Sequence, residues 1–111
     1  MVSVVAVVGF PRQVAYCVTK GGILQLTKVL AIKWARHNIQ VNAIGPAYRE
    51  TELTKRVREL NVISENLFRK TPMGRFGRSE EIVGAALYLA SEASSYVIDQ
   101  TLFVDGGWLA L

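Results

Sequence analysis

The sequence predicts an α/β domain with parallel strands, because short apolar runs alternate with longer segments of helical periodicity. The predicted order is strand, helix, strand, helices, strand, which is typical of right-handed parallel crossovers. A chain of 111 residues suits one hydrophobic core. We therefore expect residues 1–111 to belong to a single domain.

Composition excludes several classes of protein. Half of the residues are apolar and a fifth are charged, which is unlike a disordered chain. Cys17 is the single cysteine and His37 the single histidine, so the sequence predicts neither an intramolecular disulfide nor a metal site. The apolar start at residues 1–10 is too short to span a bilayer and lacks the basic residues of a secretory leader. We expect a cytoplasmic protein without a membrane partner.

The net charge of +4 is concentrated in one segment. Residues 49–78 hold eight of the 13 Lys and Arg residues and four of the nine Asp and Glu residues, and the rest of the chain is neutral. Such a segment can attract phosphate or an acidic substrate. Its aromatic residues are too widely spread for a nucleic-acid surface, so we expect a solvated basic face and no nucleic-acid partner.

The amino-terminal half contains the first predicted elements. Residues 1–8 are rich in valine and are predicted to be the end of a buried parallel strand. Residues 13–36 carry apolar side chains at helical spacing, and the apolar stripe is wide enough for packing on two sides. The residues that set this spacing are Ile23, Leu26, Leu30 and Trp34.

The next elements are short. Asn38 is a plausible helix stop, and residues 39–43 alternate between apolar and polar side chains as a strand. The turn residues Gly45 and Pro46 end that strand. A short amphipathic helix is predicted over residues 52–60.

The carboxyl-terminal half begins with a segment of mixed character, residues 61–78, which Pro72 and two glycines interrupt. Ser79 is a good N-cap for a helix over residues 79–91, because acidic residues follow it in the first turn. Residues 101–104 form the last predicted strand, and residues 105–107 form the turn that ends it.

Tyr16 and Lys20 form a candidate catalytic pair. They are four residues apart in the first predicted helix, so their side chains share one face. A positive charge beside a phenol favours the ionised phenol, which suits general acid–base chemistry. The same spacing is also common on ordinary helices, so the pair needs support from its surroundings.

Four ordered motifs supply that support. Ser3 precedes Tyr16 by 13 residues, and the motifs are YCVTK, VNAIGPAYRET, GRFGRSEEI and LFVDGG, which begin at residues 16, 41, 74 and 102. In this order they resemble the carboxyl-terminal half of classical-type short-chain dehydrogenases/reductases. The resemblance covers essentially the whole chain, and it looks nearest to the 3-oxoacyl-carrier-protein reductase and gluconate 5-dehydrogenase-like branches.

The resemblance implies a fold and an activity. The fold is the carboxyl-terminal half of a Rossmann-like doubly wound parallel sheet, with the first half missing from this chain. The activity is hydride transfer between NAD or NADP and a small alcohol or carbonyl substrate. Tyr16 would donate or accept the proton, Lys20 would assist Tyr16 and contact the cofactor's ribose, and the Ser3 hydroxyl would bind the substrate oxygen.

The second motif implies further cofactor contacts. Backbone groups at Pro46, Ala47 and Arg49 would approach the nicotinamide, and the Thr51 hydroxyl would hold its carboxamide. Two positions depart from the family pattern, since Ala47 stands where the family usually has glycine and Arg49 stands where an aliphatic residue is common. Both positions bear on the geometry of the cofactor.

Two further family features have no counterpart in the sequence. There is no G-x-x-x-G-x-G turn, and the asparagine of the proton relay is absent. We therefore expect the chain alone to be inactive, and to require an amino-terminal half or further copies of itself as a homo-oligomer. The alternative is a noncatalytic module that acts in oligomerisation or interaction, through the helix over residues 13–36 and the last strand.

Overall fold

A computed structural model describes the backbone of the chain, with side chains for residues 1–60 and 65–111. The six longer elements are α1 (Val14–Trp34), β1 (Ala43–Pro46), α2 (Lys55–Glu59), α3 (Asn61–Arg69), α4 (Val83–Leu89) and β2 (Thr101–Val104). Short 3₁₀ turns connect them. The order of helices and strands is that of an α/β fold, as predicted.

The two strands of the described sheet are parallel neighbours. Ala43 pairs with Thr101 at one end and Pro46 with Val104 at the other. Gly45 faces the Phe103 ring so closely that an added Cβ would lie 2.5 Å from two ring carbons. The strand therefore needs glycine here for space, since a methyl group would overlap the ring.

The strand predicted over residues 1–8 is wrong. Val2 donates a backbone hydrogen bond of 2.9 Å to Ile44 O, so the chain begins beside β1. It then turns into a 3₁₀ helix at Val4–Ala6. The apolar run correctly predicted that Val4 and Val5 are buried. A continuous apolar run does not distinguish a strand from a buried turn, which is why the prediction failed.

The second strand is displaced from its predicted position at residues 39–43. The structure places β1 at Ala43–Pro46, so Gly45 and Pro46 belong to the strand instead of ending it. The alternating segment before β1 is held by side chains. Asn42 Nδ2 donates to Val97 O at 2.8 Å, and Asn42 Oδ1 accepts from the Gln100 amide at 3.0 Å.

The helices follow the sequence more closely. Helix α1 confirms the longest prediction, and Asn38 adopts a left-handed conformation with φ of 56° shortly after it. Helix α2 is shorter than the predicted 52–60. Helix α3 occupies the first part of the segment that was read as mixed, because its breakers, beginning with Pro72, all lie beyond the end of the helix.

Ser79 is not the N-cap of the following helix. It is the first residue of a 3₁₀ turn, Ser79–Ile82, which leads into α4. Arg78 is the capping residue, and the Glu81 carboxylate accepts a 2.7 Å hydrogen bond from the Arg78 amide. The Ser79 hydroxyl instead donates to Glu50 O at 3.3 Å.

An aromatic and aliphatic core lies beneath the amino-terminal segment. Val4, Val5 and Trp108 are its buried centre. Trp108 stacks on Phe10 with ring centroids 6.3 Å apart, and the ring centroid of Tyr48 lies 5.5 Å from that of Trp108. This core joins both ends of the chain to the end of β1. Across the described residues, we find no helix with the length and apolar character needed to cross a bilayer.

Candidate active site

A cavity of about 360 Å³ lies at the carboxyl end of β1. Five of the seven predicted site residues line it, namely Ser3, Tyr16, Ala47, Arg49 and Thr51. They come from three separate parts of the chain: the amino-terminal segment, helix α1 and the loop after β1. The fold therefore brings distant parts of the sequence together around one opening of a size typical for small-molecule sites.

Ser3 reaches the cavity because the chain changes direction there. Its backbone is extended, with φ of −162° and ψ of 162°, and it immediately precedes the buried turn at Val4–Ala6. The Val2 hydrogen bond to β1 fixes the position of the preceding residue. The half-buried Ser3 side chain thus belongs to a segment that the sheet and the core both hold.

Tyr16 and Lys20 are neighbours on helix α1. Lys20 Nζ lies 5.5 Å from the centroid of the Tyr16 ring, close enough for a cation–π contact. Lys20 Nζ also donates to Met1 O at 3.2 Å. Lys20 lies outside the cavity wall, so its contact with the cavity runs through Tyr16, which is 46% exposed.

The Thr51 hydroxyl belongs to a reciprocal pair with Thr54. The Thr51 amide donates to Thr54 Oγ1 at 3.0 Å, and the Thr54 amide donates to Thr51 Oγ1 at 3.2 Å. This pair holds the loop between β1 and α2 in one conformation. A hydroxyl can donate one hydrogen bond and accept two, so Thr51 keeps capacity for a ligand.

The two residues at the end of β1 differ in access. Pro46 is buried in the strand and does not line the cavity. Ala47 does line it, and the Ala47 amide donates to Val104 O at 3.3 Å, which extends the sheet pairing by one residue. Of these two predicted cofactor contacts, Ala47 is therefore the one that faces the opening.

Sequence reasoning missed several residues of the wall, including Gln13, Tyr48, Leu53 and Thr54. Tyr48 lies within the second motif, between two residues that were singled out. Burial raises its pKa, which keeps its hydroxyl protonated. Thr54 could have been found from its spacing, since two threonines three residues apart after a strand are suited to mutual capping.

A neighbouring ion-pair cluster supports the loop that carries Arg49. Arg75 makes two hydrogen bonds to the Glu81 carboxylate, of 2.9 and 2.7 Å. Together with the Arg78 amide, Arg75 holds the pKa of Glu81 at about 2. Gly77 lies between these arginines and pairs with Arg49 in an isolated parallel bridge. The described residues bring no three potential metal-ligating side chains together.

Comparison with known proteins shows the family of the chain. A family model described as enoyl-(acyl carrier protein) reductase matches residues 1–109. The chain belongs to the short-chain dehydrogenase/reductase family. Among solved structures, a gluconate 5-dehydrogenase from Burkholderia cenocepacia, in complex with NADP and tartrate, superposes with a TM-score of 0.95 at 43% identity. The alignment covers 99% of this chain and 43% of that one.

Curated relatives in the family include sugar-acid and polyol dehydrogenases. Gluconate 5-dehydrogenase of Gluconobacter oxydans is 45% identical over 97 residues, which cover 87% of this chain and 38% of that protein. Galactitol 2-dehydrogenase (L-tagatose-forming) of Cereibacter sphaeroides is 47% identical over 94 residues, which cover 85% of this chain and 37% of that protein. The chain thus spans about two fifths of the length of these relatives, and it looks like the gluconate 5-dehydrogenase-like branch.

Proposed function

We propose that this short-chain dehydrogenase/reductase chain carries the catalytic side chains of an NAD(P)-dependent oxidoreductase acting on a small alcohol or carbonyl substrate. The observation that carries the proposal is the placement of Ser3 and Tyr16 in one cavity wall, with Lys20 beside Tyr16. Relatives whose names specify gluconate and galactitol dehydrogenation point to a polyhydroxylated substrate.

The residues of the cavity fit the nicotinamide end of such a cofactor. The wall has more apolar than polar surface and offers hydroxyl donors from Ser3, Tyr16 and Thr51, a donor set suited to a flat amide-bearing ring. Thr51 and the backbone near Ala47 and Arg49 would hold the carboxamide end, while Lys20 would contact the ribose. When bound, the nicotinamide supplies or accepts the hydride.

The chain's own side chains would manage the substrate oxygen. Negative charge builds on that oxygen as a carbonyl is reduced, so a hydrogen-bond donor must already point at it. The Ser3 hydroxyl would donate this hydrogen bond, and the Tyr16 hydroxyl would deliver the proton. The Lys20 ammonium would stabilise the tyrosinate that remains after the transfer. In the oxidative direction the same groups act in reverse.

The sequence holds no glycine-rich phosphate turn, and we propose that the 111-residue chain alone does not turn over, because most of a dinucleotide site is absent from it. The test joins the amino-terminal part of the Gluconobacter oxydans relative upstream of residue 1 and follows reduced-nicotinamide absorbance. The proposal requires turnover in the joined protein and none in the chain alone. A joined protein that is folded, binds the dinucleotide and stays inactive on alcohols and ketones would refute it.

A noncatalytic interaction module is the second candidate, and one observation favours it. Helix α1 has an exposed apolar stripe at Val14, Val18, Val29 and Ile32, four positions within about 60° around the helix axis at 100° per residue. Val18 is 70% exposed and Ile32 73%. Such a stripe is costly in water and suits docking to another helix. Association of the chain without any turnover in the joined protein would favour this candidate.

A further inference from the structure

Among the described residues that line the cavity, Arg49 alone carries a formal charge. The polar residues around it are hydroxyl or amide bearing, including Ser3, Gln13, Tyr16 and Thr51. The acidic residues that follow Arg49 in the loop, Glu50 and Glu52, are exposed and do not line the cavity. The cavity is therefore positive, although its wall is mostly apolar.

The backbone of Arg49 is held from two directions. Its loop bridges Gly77, where the Glu50 amide donates to Gly77 O at 2.8 Å and the Gly77 amide donates to Tyr48 O at 3.0 Å. The Thr54 hydroxyl donates to the Arg49 carbonyl. A Cβ placed on Gly77 would lie 3.6 Å from Arg49 Cγ, so the stem of the side chain passes over that glycine. This support fixes where the side chain starts.

The charge of Arg49 is not neutralised within the described residues. Arg75 and Arg78 both form ion pairs with Glu81, and Lys28 pairs with Asp99, while no acidic side chain in the described part of the chain forms an ion pair with Arg49. A half-buried guanidinium has given up part of its hydration, and an anion can restore the lost interactions. Its planar fork matches the two oxygens of a carboxylate or phosphate.

We propose that Arg49 binds an anionic group, a carboxylate or a phosphate, of the molecule that occupies this cavity. The proposal rests on the proposed function in taking the cavity as the site of substrate and nicotinamide. The hydroxyls of Ser3 and Tyr16 in the same wall would face the alcohol or carbonyl part of that molecule. A carboxylate would come from a hydroxy-acid substrate, and a phosphate from the cofactor.

Binding to the 111-residue chain tests this without cofactor or turnover. Isothermal titration at constant ionic strength would use D-gluconate, its neutral counterpart D-glucitol, and inorganic pyrophosphate. We expect saturable binding of at least one anion and none of glucitol. Arg49→Gln should weaken anion binding about tenfold or more, because a charge-assisted hydrogen bond is lost. Arg49→Lys should retain part of it as a point charge.

Arg36→Gln is the matched control, because Arg36 is exposed and contacts His37 outside the cavity. It should bind the anions as the wild type does. Circular dichroism would verify the fold of each variant. Should Arg49→Gln not fold, the Arg49 Nε–Hε signal of the wild type in a ¹H–¹⁵N spectrum provides the same test, since it should shift saturably with the anion.

The outcomes separate the two sources of the anion. Preference for gluconate assigns Arg49 to the substrate, and preference for pyrophosphate assigns it to the cofactor. Equal binding of glucitol, binding unchanged by Arg49→Gln, or an Arg49 signal that no anion shifts would overturn the proposal. Turnover of neutral alcohols by the joined protein would leave the proposed function standing even then, so the two failures are distinguishable.

Discussion

Lys20 Nζ lies 5.5 Å from the centroid of the Tyr16 ring, one turn further along helix α1. The same ammonium donates to Met1 O, so it ties the helix to the segment that carries Ser3. The relationship between Tyr16 and Lys20 thus has two aspects. It places a positive charge beside a phenol in the cavity wall, and it fixes the two parts of the wall relative to each other.

Tyr16→Phe should abolish proton transfer and leave the fold intact. The ring and its contact with Lys20 remain, while the hydroxyl that would move the proton is lost. We expect kcat of the joined protein to fall by about 10²- to 10⁴-fold. Steady-state assays would measure this, with Tyr96→Phe as the control because Tyr96 is fully exposed. Turnover at wild-type rates in Tyr16→Phe would remove this residue from the mechanism.

Gly45→Ala should destabilise the protein. The new methyl group would lie 2.5 Å from two carbons of the Phe103 ring and 3.1 Å from Val2 Cγ2, so strand, ring or amino-terminal segment must move. We expect a loss of about 1–3 kcal/mol of unfolding free energy, measured by urea denaturation. Gly22→Ala is the control, since nothing lies within 4 Å of its added Cβ. It should be neutral or stabilise by up to about 1 kcal/mol, because glycine disfavours a helix.

Glu81 should make stability depend on pH in the acid range. Arg75 and the Arg78 amide lower the pKa of its carboxyl from 4.5 to about 2. Ionised Glu81 therefore stabilises the folded chain above pH 4.5, and this contribution is lost as the pH falls toward 2. Thermal unfolding of wild type and Glu81→Gln should differ at neutral pH and converge at low pH.

Glu92→Gln is the control for that experiment, because Glu92 is exposed and its side chain takes part in no ion pair among the described residues. Its melting temperature should follow that of the wild type throughout. A constant difference between wild type and Glu81→Gln down to pH 2 would mean that the ionised form of Glu81 is not what stabilises the fold.

The apolar stripe of helix α1 predicts association in solution. Val29→Lys with Ile32→Lys should shift sedimentation toward the monomer, because charged side chains cannot be buried in a helix–helix contact without a partner. Leu87→Lys is the control, since Leu87 lies on α4, away from the stripe, and is 65% exposed. A wild-type chain that sediments as a monomer at every concentration would contradict this prediction.

The sequence predicted the longer elements better than the short ones. Helix α1 has enough turns for its periodicity to be distinct, and β2 is bounded by clear turn residues. The prediction of an amino-terminal strand was wrong, because a valine-rich run fits a buried turn as well as a strand. The predicted limits of β1 were also wrong. Side-chain hydrogen bonds such as those of Asn42 leave no periodic signal.

The candidate site was predicted in part. The family resemblance singled out Ser3, Tyr16 and Thr51, and the fold brings these residues to one cavity. It could not predict that Pro46 is buried in the strand, because that depends on the register with β2. Nor could it identify the Thr51–Thr54 pair as the support of the loop, since that contact depends on the loop conformation.

A double-mutant cycle on Ser3 and Tyr16 in the joined protein tests the central claim most directly. Single-turnover rates of carbonyl reduction would be measured for Ser3→Ala, Tyr16→Phe and the double variant. If both hydroxyls act on one substrate oxygen, the double variant should lose little more activity than the worse single variant. Losses that multiply independently, or a Tyr16→Phe protein with normal rates, would contradict the account.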